Sequence, residues 1–159
     1  MFFFRMFPTQ FSMTSKYKVF NCIFMIQSEI SFRIRYGETD QMGVVYHGNY
    51  AQYLEMGRIE WLRALGISYK SMEESGLILP VISLHINYKK SAVYDDQIRV
   101  ITCLKSKPMV MIEFEYEIYN ENQEILATAN TVLAFMDKAT KKPTACPEYL
   151  LEKINLNDV

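Results

Sequence analysis

The segment that decides the fold reads YGETDQMGVVYHGNYAQYLEMGRIEWLRALG, from Tyr36 to Gly66. Its first half carries a carboxylate, Asp40, followed by a glycine-containing loop. Its second half has the apolar spacing of an amphipathic helix from Asn49 to Leu65, with Gly66 as a C-terminal stop. This order brings a carboxylate close to the backbone N–H groups at a helix N-terminus, where negative charge is stabilised.

The apolar side of this helix contains an unusual residue. The stripe consists of Tyr50, Tyr53, Leu54, Gly57, Trp61 and Leu65. Gly57 lowers helix stability, but the missing side chain allows a sheet to approach the helix axis closely. The pattern therefore predicts a long helix packed tightly against a sheet.

Alternating apolar and polar residues predict strands on both sides of the helix. One strand precedes it, at 30–36, with Tyr36 on its buried face. Four follow, at 81–89, 97–105, 110–119 and 124–137, before a short helix at 148–154. On the first of these four, Ile82, Leu84, Ile86 and Tyr88 share one side. A run of strands joined by short connections, with one long helix, predicts an α+β fold whose antiparallel sheet wraps around that helix.

Composition limits the class of protein. The 159 residues suit one domain, and a hydrophobic content of 50% supports a full core. A net charge of −1 gives no strong attraction to nucleic acid, and no apolar run is long enough to span a membrane. The three cysteines form neither a CxxC motif nor a Cys/His cluster, so we predict no metal site and a reducing, cytoplasmic location.

The first residues differ in character from the rest of the chain. Residues 1–27 contain Phe2-Phe3-Phe4 and a short apolar run, without a small-residue cleavage site. We interpret them as a disordered extension or an upstream-extended reading frame, with Met13 and Met25 as alternative starts, rather than as a signal peptide. The predicted domain covers residues 28–159.

The central block resembles a known family. Thr39-Asp40, Gly43-Val44-Val45-Tyr46-His47, Asn49-Tyr50 and Glu55 are similar to the motif of the 4-hydroxybenzoyl-CoA thioesterase-like family. The resemblance is strongest to its acyl-CoA thioesterase branch, which is associated in bacteria with the Tol-Pal gene cluster. It runs from Ile30 to Ile154 and includes the acidic turn Tyr94-Asp95-Asp96. The family has the hotdog fold, which is the architecture expected here.

The resemblance implies a role for each residue of the block. Asp40 would be the nucleophile or general base, the backbone N–H groups of Tyr46 and His47 would polarise the thioester carbonyl, and His47 would help to orient substrate or water. Substrate binding would involve Gly43, Val45, Gly48, Asn49, Tyr50, Lys89, Lys90 and Lys107, with Lys105 as a further candidate for holding CoA. The family acts as homodimers or homotetramers with the site at a subunit interface, and it needs neither metal nor cofactor.

The chemistry of thioesters agrees with this assignment. A thiolate leaves readily, so hydrolysis needs a nucleophile or base and an oxyanion site but no catalytic triad, and the chain has no GxSxG motif. Short or medium aliphatic acyl-CoA substrates are favoured over aromatic ones. The alternatives are an acyl-carrier-protein thioesterase, a non-enzymatic acyl-CoA-binding module, and an ordinary turn role for Asp40. A hotdog dehydratase is disfavoured because its motif, with a Pro-Gly pair, is missing.

Overall fold

A computed structural model describes residues 26–156 of the chain. The strands are β1 (Gln27–Arg33), β2 (Leu77–Ile78), β3 (Val81–Tyr88), β4 (Gln97–Leu104), β5 (Met111–Asn120), β6 (Ile125–Ala134) and β7 (Met136–Asp137). The helices are α1 (Asn49–Ala64), α2 (Tyr69–Glu74) and α3 (Glu148–Leu156), and a short 3-10 turn spans Tyr36–Glu38. Five strands form one antiparallel sheet in the order β1, β4, β5, β6, β3, while β2 and β7 form a separate pair.

The inner face of the sheet packs on α1, as the pattern predicts. Alternate residues of β5 are fully or almost fully buried, namely Ile112, Phe114, Tyr116 and Ile118. They meet the apolar stripe of α1, in which Trp61 lies edge-to-face with Phe114 at a ring distance of 5.0 Å. The predicted α+β class, with a sheet around one long helix, is confirmed.

Gly57 marks the closest approach of α1 to the sheet. A Cβ atom at this position would lie 2.4 Å from Thr102 Oγ1 and 3.4 Å from Val100 Cγ1, both on β4. The first distance is far below van der Waals contact, so a side chain here would require Thr102 or the helix to move. The role predicted for Gly57 is confirmed.

Two strand ends differ from the predictions. The first strand ends at Arg33, and the chain then forms the 3-10 turn, so Tyr36 is 79% exposed instead of buried. The last strand is interrupted at Phe135, whose N–H still donates to Val110 O in register with the β5–β6 ladder, and it resumes as β7. Its final residues pair with β2, which joins the link between α2 and β3 to the main body.

The described part of the chain begins just before its first strand. Ile26 lies in the core and β1 begins at Gln27, one residue before the predicted domain boundary. The rest of the segment that we interpret as an extension lies outside the described residues. In the described part of the chain, no helix is both long and apolar enough to cross a membrane.

The strand β3 forms an edge of the sheet, and its inner side is not covered. Leu84 and Tyr88 pair with Thr131 and Ala127, whose side chains belong to the inner face, yet Leu84 is 44% and Tyr88 49% exposed. The cause is the position of α1, which packs on β1 and β4, at the opposite edge of the sheet from β3. The predicted apolar side of β3 is therefore present, but no helix covers it in the described part of the chain.

The contact at Gly57 yields a stability prediction. Gly57→Ala should lower the free energy of unfolding by about 1–2 kcal/mol, because overpacking outweighs the gain in helix propensity. In a Thr102→Ala background, which removes the clashing Oγ1, the same change should be neutral or stabilising. Urea denaturation of the four proteins measures this coupling.

Gly37→Ala is the matched control, because a Cβ there meets no atom within 4 Å. It should change stability by less than about 0.5 kcal/mol. An equal cost of Gly57→Ala in both backgrounds would contradict the assigned contact.

Candidate active site

Asp40 begins a tight turn that places its carboxylate beside the helix. The Asp40 N–H donates to Val44 O (2.9 Å), and the Gly43 N–H donates to Asp40 O (3.0 Å). Gly43 has a φ of 76°, a conformation that glycine adopts without strain. The Met42 N–H donates to Asp40 Oδ1 (2.8 Å), which orients the side chain. Among the described residues Oδ2 has no hydrogen-bond donor, so this oxygen can react.

The loop and the start of α1 meet at one carbonyl group. Glu38 O accepts the Tyr46 N–H (2.9 Å) and also the Nδ2 amide of Asn49 (2.7 Å). The Asn49 N–H in turn donates to Tyr46 O (2.9 Å). Asn49 therefore joins the first turn of the helix to the 3-10 turn that precedes Asp40.

These bonds decide which N–H groups are available. Tyr46 was predicted to offer its N–H to the substrate, but Glu38 O already accepts that hydrogen, so this donor is not available. Within residues 26–156 the N–H groups of His47 and Gly48 have no acceptor. They are the two candidate donors at the positive end of α1.

Gly48 serves the packing of a neighbouring ring. A Cβ at Gly48 would lie 2.6 Å from Cε1 of Tyr46, whose ring also contacts that of His47 at 4.3 Å. A larger residue would push the Tyr46 ring away and alter the turn that leads into the helix.

A cavity of about 230 Å³ lies beside this turn. Its lining is Asp40, Met42, Val44, Val45, His47, Tyr50, Tyr88, Lys89, Lys90 and Ser91. Six of the predicted site residues are thus brought together, and Met42, Val44, Tyr88 and Ser91 were missed. The lining does not include Gly43, Tyr46, Gly48 or Asn49, which belong to the loop and the start of α1.

The predicted lysines separate into two groups. The backbone N–H groups of Lys89 and Lys90 both donate to Leu126 O (2.8 and 3.1 Å), which fixes this pair at the cavity, and Lys90 Nζ pairs with Glu124. Lys107 instead lines another cavity, of about 500 Å³, between the β4–β5 loop and α3. One chain alone does not bring Lys107 to Asp40, and its assignment to substrate binding stays a prediction.

Glu38 is a residue of the site that the sequence analysis missed. Its carboxylate is buried and accepts the Arg35 N–H (2.6 Å) and Arg35 Nη2 (2.9 Å). Burial opposes the charge, but the bonds to Arg35 outweigh it and lower the pKa of Glu38. The spacing of an arginine and a glutamate three residues apart, just before Asp40, was the available signal.

The lowered pKa of Glu38 predicts a pH-dependent effect on stability. The ionised carboxylate is favoured by the fold, so its contribution is present above the ordinary pKa of about 4.3 and disappears as the pH falls below it. Glu38→Gln should therefore lower the melting temperature at pH 7, with a difference that shrinks in acid.

Thermal unfolding followed by circular dichroism between pH 3 and pH 8 measures this difference. Glu121→Gln, in the exposed β5–β6 turn, is the control and should show no pH-dependent change. A melting difference that is the same at every pH would exclude the charge of Glu38 as its cause.

The site contains no evident metal centre. In the part of the chain that the structure describes, no group of three or more His, Cys, Asp or Glu side chains is arranged to hold a metal ion.

Comparison with known proteins gives the family. Residues 34–154 match the thioesterase-like superfamily. The chain is 36% identical over 116 residues to "Putative acyl-CoA thioesterase YneP" of Bacillus subtilis, an alignment that covers 73% of this chain and 84% of the relative. It is 34% identical over 127 residues to acyl-CoA thioesterase YbgC of Haemophilus influenzae, covering 78% and 93%.

A solved structure agrees with these relatives. The DHNA-CoA thioesterase from Staphylococcus aureus superposes with a TM-score of 0.76 at 40% sequence identity, covering 80% of this chain and 86% of the other. The predicted family resemblance is confirmed, while the association with the Tol-Pal cluster stays a prediction. The chain belongs to the thioesterase-like superfamily, has its hotdog fold, and is a thioester hydrolase.

Proposed function

We propose that this protein is an acyl-CoA thioesterase, which hydrolyses an acyl-CoA to the free acid and CoA. The observation that carries the proposal is the cavity in which Asp40, His47 and the pair Lys89-Lys90 meet. It combines a reactive carboxylate, the N-terminus of a helix and positive charge at the rim. The names of the relatives from B. subtilis and H. influenzae support the same substrate class.

The first step needs a polarised carbonyl. The thioester oxygen accepts hydrogen bonds from the N–H groups of His47 and Gly48. These groups lie at the positive end of the helix dipole, which stabilises the developing oxyanion. Asp40 Oδ2 then acts in one of two ways. As a nucleophile it forms an acyl anhydride and expels CoA thiolate, and water then cleaves the anhydride. As a general base it takes a proton from water, which adds to the carbonyl before the thiolate leaves.

The rim of the cavity suits the other end of the substrate. Lys89 and Lys90 offer ammonium groups to the phosphates of CoA, where charge-assisted hydrogen bonds form readily. The apolar side chains of Met42, Val44 and Val45 also line the cavity and accept the acyl group. We propose a short- to medium-chain or an aromatic acyl group, the latter supported by the S. aureus enzyme's name.

A second copy of the chain would complete this site. Tyr88, Lys89 and Lys90 lie at or just beyond the end of the open edge strand β3, whose exposed apolar side chains and unpaired backbone groups favour pairing with another strand. We therefore propose a homodimer or homotetramer with the cavity at a subunit interface.

We also propose a cytoplasmic location, where CoA thioesters are formed; cell fractionation would check it.

Asp40 is the first residue to test. Asp40→Ala and Asp40→Asn should fold normally and lower kcat by at least about 100-fold, because the nucleophile or base is lost. Thiol release is measured over acyl-CoAs from acetyl to palmitoyl, benzoyl-CoA and 4-hydroxybenzoyl-CoA, and over the same acyl groups on acyl-carrier protein. Wild type and variants should elute as the same dimer or tetramer. Near-normal turnover in both variants would remove Asp40 from this role.

The lysine pair predicts an effect on binding. Lys89→Ala should raise KM about twofold to fivefold with little change in kcat, since it removes an exposed charge that contacts only the leaving group. Lys90→Ala should do less, because Lys90 already pairs with Glu124. Steady-state kinetics at low and high salt measures both, and the wild-type KM should rise with salt.

Lys70→Ala, on the exposed surface of α2, is the control and should leave KM unchanged. An unaltered KM in Lys89→Ala would place the CoA phosphates elsewhere, with Lys107 as the next candidate.

A further inference from the structure

We infer that Tyr88 is a positioning residue for thioester hydrolysis, whose hydroxyl holds the His47 carbonyl and thereby fixes the N–H donors of the oxyanion site. The inference rests on the proposed function. Tyr88 lies 41 residues from His47 in sequence and was not among the predicted site residues.

The contact is a hydrogen bond between the end of β3 and the residues that lead into α1. Tyr88 is the last residue of β3, and its hydroxyl donates to His47 O at 3.0 Å. Its ring packs edge-to-face on Tyr50, with ring centres 5.2 Å apart, and lines the cavity beside Asp40 and His47. The aromatic contact restricts the ring, so the hydroxyl is presented to His47 in one direction.

The His47 carbonyl depends on this bond. Its helical partner, the Tyr50 N–H, lies at 3.4 Å, which is beyond the usual range of a strong N–H···O bond. A hydrogen bond from outside the helix therefore fixes the first turn. Because the peptide bond is planar and trans, a fixed His47 carbonyl also fixes the direction of the Gly48 N–H.

The other peptide unit next to His47 is held in the same manner. The Asn49 N–H donates to Tyr46 O at 2.9 Å, which fixes the His47 N–H of that unit. Both flanking carbonyls are thus occupied, and both N–H groups are without an acceptor among the described residues. Of these two hydrogen bonds, the one to Tyr46 O comes from the backbone and the one to His47 O comes from the Tyr88 side chain.

The hydroxyl also affects the strength of the donor. A hydrogen bond accepted by a peptide carbonyl polarises the unit and makes its N–H a better donor. The Tyr88 hydroxyl is protonated and able to donate at neutral pH, because the ordinary pKa of tyrosine is about 10 and partial burial raises the pKa of Tyr88 further. The effect of Tyr88 should thus be felt in the transition state, where negative charge on the oxygen is greatest.

Tyr88→Phe removes this bond and keeps the ring. We expect kcat to fall about 10-fold to 100-fold, less than or comparable to the loss of a whole oxyanion donor, with KM within about twofold of wild type. The experiment uses the whole chain. The melting temperature and the elution volume of the variant are compared with those of the wild type, to check that fold and assembly are preserved. Tyr94→Phe, which removes an exposed hydroxyl outside the cavity lining, should leave both constants unchanged.

A spectroscopic readout separates positioning from general stability. The probe is an acyl-CoA analogue in which CH₂ replaces the thioester sulfur and the carbonyl carbon is ¹³C. On the wild-type enzyme its carbonyl stretch should shift to lower frequency than in water, and Tyr88→Phe should remove much of that shift while CoA itself binds equally well.

Three results would overturn the inference: a kcat within twofold of wild type in Tyr88→Phe, a change confined to KM, or an unaltered carbonyl shift. They are distinct from failure of the proposed function, in which the wild-type enzyme itself would release no thiol from any acyl-CoA.

Discussion

The carbonyl group of Glu38 is the point on which the site depends. It accepts one hydrogen bond from the backbone of Tyr46 and another from the side chain of Asn49, and so joins the 3-10 turn that precedes Asp40 to the first turn of α1. The Glu38 side chain is itself held by Arg35. Without this connection the carboxylate and the helix N-terminus would be two separate features of the surface. With it, their separation is set by short hydrogen bonds and a rigid helix.

The packing of α1 decides the rest of the architecture. Because Gly57 allows the helix to lie directly on Thr102 and Val100, α1 covers the half of the sheet formed by β1 and β4. The opposite half, at β3, keeps its inner side open. The cavity lies at that open side, and the residues that complete it come from the end of β3. The same asymmetry that leaves apolar surface exposed also creates the space into which a substrate can enter.

The sequence was most informative where a pattern is local. The extent of α1, its apolar stripe and the alternation of β5 follow from the periods of helix and strand, and these were predicted correctly. The block around Asp40 could be recognised because its residues are adjacent in the chain. Predictions were wrong at two strand ends: Tyr36 is exposed because Arg35 and Glu38 close a local turn, and the last strand is divided because Met136 and Asp137 pair with β2.

By itself, the sequence determined the fold class, the helix that anchors it and the family resemblance, because side-chain periodicity and a contiguous motif are properties of neighbouring residues. Only the tertiary structure decided which backbone donors are already paired and which side chains line the cavity. It removed the Tyr46 N–H by pairing it with Glu38, placed Lys107 at another cavity, and brought Tyr88 from the edge strand to His47. These outcomes depend on hydrogen bonds between segments far apart in the chain, whose geometry exists only after the helix has packed on the sheet.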